Sequence, residues 1–138
     1  MIPHTRPQLI VLWTIWFSML VAVFIYQFAL GHGIPSGANA RPEGANPILF
    51  LAGGQLVVAA AIRWILIPRA DAAGKVLVLL ILGLSLSEAV EFFGLFLVPA
   101  DQPGTKLTLW ILSIVSILQF APVYALPKAK NPFHEANS

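Results

Sequence analysis

The sequence predicts an all-α membrane protein, in which four transmembrane helices form one antiparallel bundle and both termini are cytoplasmic. Of the 138 residues, 58% are hydrophobic and only 10% are charged, whereas soluble domains carry about 25% charged residues. The apolar residues form four runs of about 20 residues, the length that crosses a bilayer as a helix. We therefore expect a single membrane domain over residues 1–138, with the lipid bilayer as a partner.

Helix-breaking residues bound the four runs. Helices are predicted at about 9–30, 48–67, 76–98 and 107–126, and the residues at their limits are Pro7, Gly31, Pro47, Pro68, Gly74, Pro99, Pro103 and Pro127. Pro122 is the only proline inside a run, and it predicts a kink near the end of the fourth helix. The second and third connections are short, so the last three helices are expected to be antiparallel neighbours.

The first run is predicted to be a membrane helix and not a cleaved signal peptide. It is longer than the roughly 7 to 15 residues of a signal-peptide core, and the small residues Ala38, Asn39 and Ala40 lie far from its end. Gly, Pro, Asn, Ser and Ala dominate the connection over residues 31–46, which predicts an exposed outer loop.

The distribution of Lys and Arg predicts the orientation. With the amino terminus inside, the cytoplasmic side would carry Arg6, Arg63, Arg69, Lys75, Lys128 and Lys130, and the outer side only Arg41 and Lys106. Cytoplasmic loops of membrane proteins carry the excess of positive residues, so both termini are expected inside. Trp110 falls near the outer boundary and is predicted to be an interfacial anchor.

Two carboxylates lie within the third apolar run. An acidic side chain near the bilayer centre costs roughly 2.5 to 3.5 kcal/mol on insertion scales, so Glu88 and Glu91 require a packing or functional reason. The two groups are close enough to repel each other, and we expect at least one to be protonated. At 3.6 residues per turn, Gly83, Ser87, Glu91 and Gly94 share one helix face, with Glu88 at its margin.

Polar residues on the neighbouring helices fall at a similar depth. Gln55 on the second helix and Ser116 on the fourth are near the midpoints of their runs. The predicted ion-binding or buried polar centre therefore consists of Glu88, Glu91, Gln55, Ser87 and Ser116. Arg63 is the candidate charge partner of Glu88, and the alternative is that its side chain snorkels to the inner headgroups.

Other site chemistries lack candidate residues in the sequence. There is no Cys, and the histidines His4, His32 and His134 have no metal-ligand spacing. No catalytic triad pattern, phosphate-binding loop or HExxH motif occurs. We therefore expect no enzyme activity, no cofactor and no metal. The absence of a Lys/Arg cluster also argues against nucleic acid as a partner.

The segment 83–95, GLSLSEAVEFFGL, resembles the carboxylate helix of subunit c, the proteolipid ring subunit of rotary ATP synthases. The likeness lies in the Gly-Leu start, the Glu-Ala pair and the aromatic-Gly-Leu that follows. It implies that Glu88 matches the ion-binding carboxylate and Arg69 the polar-loop arginine, whereas Glu91 has no counterpart. The whole layout is similar to small, functionally uncharacterised bacterial four-helix membrane proteins, which implies a bacterial inner membrane.

These features favour a non-enzymatic accessory or interaction subunit, with the carboxylate helix packed against a second copy or a larger membrane complex. H+ or Na+ handling through Glu88, similar to the ring subunit, is the alternative function. The carboxylates could also belong to a purely structural polar network that sets the helix register. The sequence leaves all three open.

Overall fold

The computed structural model describes residues 5–37, 44 and 46–126, and in these ranges its regular structure is entirely helical. Four helices are long and apolar enough to cross a membrane, which confirms the predicted all-α class. They are α1 (Arg6–Ala29), α2 (Pro47–Arg69), α3 (Ala73–Leu97) and α4 (Pro103–Ala125). Membrane insertion and cytoplasmic termini stay predictions.

Some residues used in the sequence predictions lie outside the described ranges. They are His4, Ala38, Asn39, Ala40, Arg41, Pro127, Lys128, Lys130 and His134.

Proline and a side-chain cap determine where the helices begin. Pro7, Pro47 and Pro103 each stand at the first or second helical position, where the missing N–H has no helical acceptor in any case. The side chain of Asn46 accepts a hydrogen bond from the N–H of Ile48 at 3.0 Å and caps α2. The same Asn46 donates to the side chain of Gln102 at 2.8 Å, which ties the start of α2 to the start of α4.

Two helices change their winding before they end. α2 passes through a π-helical turn at Ile62–Leu66, and α3 ends in another at Phe93–Leu97. Pro68 contributes to the first, because it has no N–H to donate to the carbonyl four residues earlier. A π-helical turn shifts the side chains that follow it around the helix axis.

The end of α4 differs from the expected kink. Its α-helical part is Pro103–Leu118, and Pro122–Ala125 forms a separate 3-10 turn. Ala121 is extended, with ψ 128°, because a residue before proline is pushed out of the helical region. Pro122 thus begins a separate 3-10 turn after the α-helical part of α4 has ended, and it does not bend a continuous helix.

α3 is the central helix of the bundle and packs against each of the other three. Leu80, Leu84 and Val90 of α3 are completely buried. Phe50, Val57 and Phe96, on the outside of the bundle, are each at least 65% exposed. An apolar exterior of this extent is typical of a surface that faces lipid.

Three contacts set the antiparallel register of α3 and α4. Gly83 packs on Phe120, Ser87 on Ser116, and Gly94 on Leu109. The end of the bundle that carries the α1–α2 and α3–α4 connections is called the loop face below, and the opposite end the terminal face. Glu91 is on α3 between Ser87 and Gly94, so this register places it level with Leu112 and Ser113 of α4.

α1 runs parallel to α3. At the loop face, the rings of Tyr26 and Phe92 are 5.2 Å apart. At the terminal face, residues of both helices line a cavity of about 310 Å³, among them Gln8 and Gly74. Near its middle, α1 is also tied to α4, because the indole N–H of Trp16 donates to the carbonyl of Ile117 at 2.9 Å.

Candidate functional site

Glu91 is the most deeply buried acidic side chain in the described residues. Only 1% of it is exposed, and neither carboxylate oxygen has a hydrogen-bond partner in the part of the chain that the structure describes. Helical geometry explains the burial, since Glu91 lies one turn from Ser87 and from Gly94, and all three face the interior. A carboxylate in such surroundings is costly unless it meets a proton or a cation.

Two further buried polar atoms near the level of Glu91 have no partner in the described ranges, namely Ser113 Oγ and Trp110 Nε1. Trp110 packs edge-on against Phe24 and Phe28 of α1, with ring centroids 5.7 and 6.5 Å apart. The register of α3 and α4 places Glu91 level with Ser113, and Trp110 lies about one turn from Ser113 on α4. We name Glu91, Trp110 and Ser113 the Glu91 cluster.

Trp110 is therefore not the interfacial anchor that the sequence suggested, because only 9% of it is exposed. Packing against two phenylalanines of α1 removes the indole from the boundary region. The prediction for Trp110 rested on its depth along the helix, and depth carries no information about which side of the helix faces a neighbour.

The structure separates Glu88 from Glu91. Glu88 is half-buried and lies at the edge of the bundle, next to the exposed Ser85. Residues three apart differ by about 60° around a helix, which is enough to place one carboxylate inside and the other at the surface. Within the described part of the chain, no Lys or Arg forms an ion pair with Glu88.

A chain of hydrogen bonds crosses the interior on the terminal side of Glu91. Trp64 Nε1 donates to Gln119 Oε1 at 3.1 Å, and Gln119 Nε2 donates to Ser116 Oγ at 3.1 Å. Ser116 Oγ and Ser87 Oγ are 2.6 Å apart, and Ser87 Oγ donates to the carbonyl of Gly83 at 2.8 Å. Because Ser87 uses its proton on Gly83, Ser116 donates to Ser87, and the chain runs in one direction.

Arg63 takes neither of the two positions expected from the sequence. Its Nε donates to the carbonyl of Gln119 at 2.6 Å, and its guanidinium lies 4.7 Å from the ring centroid of Trp64 and 4.5 Å from that of Tyr124. Only 6% of the side chain is exposed. The two rings and the carbonyl hold the cation inside the bundle, so it neither reaches Glu88 nor snorkels outward.

Gln55 connects α2 to α3 through the backbone. Its side-chain amide donates to the carbonyl of Leu86 at 2.8 Å. The predicted polar centre is therefore divided into three parts in the structure: Ser87 and Ser116 share one hydrogen bond, Gln55 bonds to the backbone, and the two carboxylates lie apart from both.

A cavity of about 250 Å³ lies at the loop face. The polar residues in its lining include Gln27, His32 and Lys106, and Gly94 of α3 also lines it. Gln27 was missed by the sequence analysis, although a glutamine within an apolar run was a usable signal. It is 4% exposed, and its amide donates to the carbonyl of Gly33 at 2.5 Å.

The hydrogen bond that Gln27 donates to Gly33 requires a glycine at position 31. A β-carbon at Gly31 would lie 2.5 Å from Gln27 Nε2, so a larger residue there would displace the amide. His32 and Gly33 then reverse the chain with φ of 58° and 98°. The wall of the cavity is thus a tight turn held by a buried side chain.

The described residues contain no group of three His, Asp or Glu side chains that could hold a metal ion. The arrangement offers instead a single enclosed carboxylate, a second one at the edge of the bundle, and a cavity whose lining includes Gly94, one helical turn from the first. Comparison of the chain with protein-family models, with curated proteins and with solved structures finds no match.

Proposed function

We propose that this small membrane protein is a non-enzymatic accessory subunit, which docks on a membrane-embedded partner through the surface around Glu88. The observation that carries the proposal is the partly buried position of Glu88 at the edge of α3, without an ion pair to any Lys or Arg in the described ranges. A carboxylate at this depth and open to lipid is unfavourable by a few kcal/mol. A partner helix that supplies a cation or a hydrogen-bond donor removes that cost.

The neighbouring residues suit such a contact. Ser85 is exposed beside Glu88, so a second hydrogen-bonding group is available on the same surface. Small and polar residues favour close helix packing in membranes, where hydrophobicity alone gives no drive to associate. The surface of α2, with Val57 70% exposed, is apolar and suits lipid. The proposed membrane is a bacterial inner membrane, on the strength of the family resemblance alone.

Site-directed photocrosslinking in native membranes tests the proposal. A photoreactive residue in place of Ser85 should yield an adduct with a different membrane protein, and the same probe in place of Val57 should not. Glu88→Ala should reduce the adduct at position 85. An adduct made only of two copies of this chain, or equal adducts at both positions, would contradict an accessory role.

H+ or Na+ exchange at Glu88 is the second candidate function. Glu88 is only partly buried, and reaction with a hydrophobic carbodiimide requires a carboxyl that can be reached from the bilayer. Labelling of Glu88 should fall as the pH rises, and Na+ should protect the residue if the ion binds there. Glu88→Gln provides the unlabelled control. A carboxyl that stays unlabelled at every pH would rule this function out.

A further inference from the structure

We propose that Glu91 is a proton-binding site that exchanges protons with the loop face through the cavity lined by Gln27, His32 and Lys106. This site is separate from the docking surface around Glu88. Its proton-binding group is enclosed by protein, and the cavity reaches Gly94, one helical turn from Glu91.

The Glu91 cluster fits a proton better than a metal ion. A sodium or calcium ion requires several oxygen ligands, and the cluster offers one carboxylate and one hydroxyl. Trp110 Nε1 is a donor only and would be repelled by a cation. A protonated carboxyl, by contrast, can donate to a hydroxyl such as that of Ser113, and its second oxygen can accept from an indole N–H.

The route to the site runs from the loop face. Gly94 lines the cavity and packs against Leu109 of α4, and Glu91 is the next polar residue inward on the same face of α3. Toward the terminal face, the interior holds the hydrogen-bond chain from Trp64 to Gly83. That chain ends in an indole N–H and a backbone carbonyl, neither of which relays a proton at neutral pH. Phe120, which is completely buried, packs on Gly83 beyond it.

Few charged or titratable groups face Glu91 from the elements around it. Glu88 is nearby on α3 itself, and Tyr26 of α1 contacts Phe92. Lys106 of α4 and His32 of the α1–α2 loop line the cavity. α2 contributes no titratable residue between Pro47 and Ala61. Glu88, Lys106 and His32 are therefore the residues whose substitution should change how the site responds to pH.

Infrared spectroscopy on the full chain in liposomes tests the site. Liposomes adsorbed on the internal-reflection element of the infrared spectrometer are perfused with buffers of different pH, and the absorption bands of the carboxyl groups are recorded. The chain contains no Cys, so Gly44→Cys, exposed in the α1–α2 loop, reports through an impermeant thiol reagent which face points outward.

We expect the band of a protonated carboxyl to follow the pH at the loop face, to vanish in Glu91→Gln, and to persist in Glu88→Gln. Glu91→Asp, which keeps a carboxyl in place, should retain a titrating band at a shifted frequency. The proposal would be overturned if the band vanished in Glu88→Gln but persisted in Glu91→Gln. A band that follows only the pH at the terminal face would also overturn it.

Blocking the cavity tests the route separately. Ser36 lines the cavity and is exposed, so Ser36→Cys carrying a bulky impermeant label should slow the response of the Glu91 band several-fold. The labelled Gly44→Cys protein is the matched control, since a β-carbon at position 44 meets no atom within 4 Å. Equal rates in the two labelled proteins would show that protons do not enter through this cavity.

Discussion

The hydroxyls of Ser87 and Ser116 lie 2.6 Å apart and join α3 to α4 inside the bundle. Gln119 donates to the same Ser116, so this serine links two otherwise separate bonds. Interhelical hydrogen bonds in membranes contribute modestly, about 0.6 kcal/mol on average and up to about 1.7 kcal/mol. The contact therefore specifies register more than it supplies stability.

Ser116→Ala should lower the free energy of unfolding by about 1 kcal/mol, because both Ser87 and Gln119 lose a partner. Reversible unfolding in mixed detergent micelles measures this. Ser85→Ala is the matched control on α3, since Ser85 is exposed and its removal should have little effect. Equal effects of the two substitutions would contradict the role given to Ser116.

Gly83→Ala should destabilise the bundle by about 1 to 3 kcal/mol, because the added β-carbon would overlap the ring of Phe120. Gly53→Ala is the control, since nothing lies within 4 Å of a β-carbon there. Unfolding in the same micelles compares the two. Because Phe120 contacts Gly83, Gly83→Ala should lower the free energy of unfolding less in a Phe120→Leu background. Additive effects of the two substitutions would contradict this contact.

Arg63→Lys should lower the free energy of unfolding in detergent by about 1 to 2 kcal/mol, and the melting temperature should fall with it. Lysine keeps the charge but loses the planar group that lies against the rings of Trp64 and Tyr124. Arg69→Lys is the control, because Arg69 is exposed and, among the described residues, donates to the carbonyl of Ile65 within its own helix. Trp64 fluorescence should change in the first variant. An unchanged melting temperature there would contradict the buried placement.

Asp71, in the short connection between α2 and α3, should titrate below the usual range of aspartate. The hydrogen bond from Lys75, at 2.5 Å, lowers the pKa of this carboxyl, and the positive charge adds to the effect. Because the folded-state pKa is lowered, the interaction stabilises the fold above the unfolded-state pKa of about 3.9. This stabilisation is lost as the pH falls through the folded-state value.

NMR titration of the Asp71 carboxyl in micelles measures this pKa, and Lys75→Met should raise it toward the usual value. Added salt should reduce the difference between the two proteins, because the ion pair is exposed to solvent. An Asp71 pKa that does not respond to Lys75→Met would show that the ion pair does not form in solution.

The helices could be predicted from the sequence because their signals are local. Pro47 and Pro103 were predicted as helix-breaking residues at the limits of apolar runs, and in the structure each stands at the start of a helix. The interior face of α3 was also readable, since periodicity alone puts Gly83, Ser87, Glu91 and Gly94 on one side, and all four are buried. Periodicity could not show that Glu88 and Glu91 would differ so strongly in exposure.

The partners of the polar residues required the tertiary structure. In the sequence, Arg63 is a charged residue within an apolar run. In the structure it lies between two aromatic rings and bonds to a carbonyl of α4. Gln27 belongs to α1, which the sequence analysis treated as apolar, yet it holds the loop that walls the cavity. Such contacts depend on the rotation and depth of each helix relative to the others.

The sequence by itself determined four long apolar helices, their approximate limits, and the one helix that carries two carboxylates. These follow from hydrophobic length and helix-breaking residues, which act within a single segment. Only the tertiary structure decided that Glu91 is enclosed while Glu88 meets the surface. The physical reason is that two side chains three residues apart point in directions that differ by only about 60° around the helix. Whether both of them face the interior depends on where α1 and α4 pack against α3.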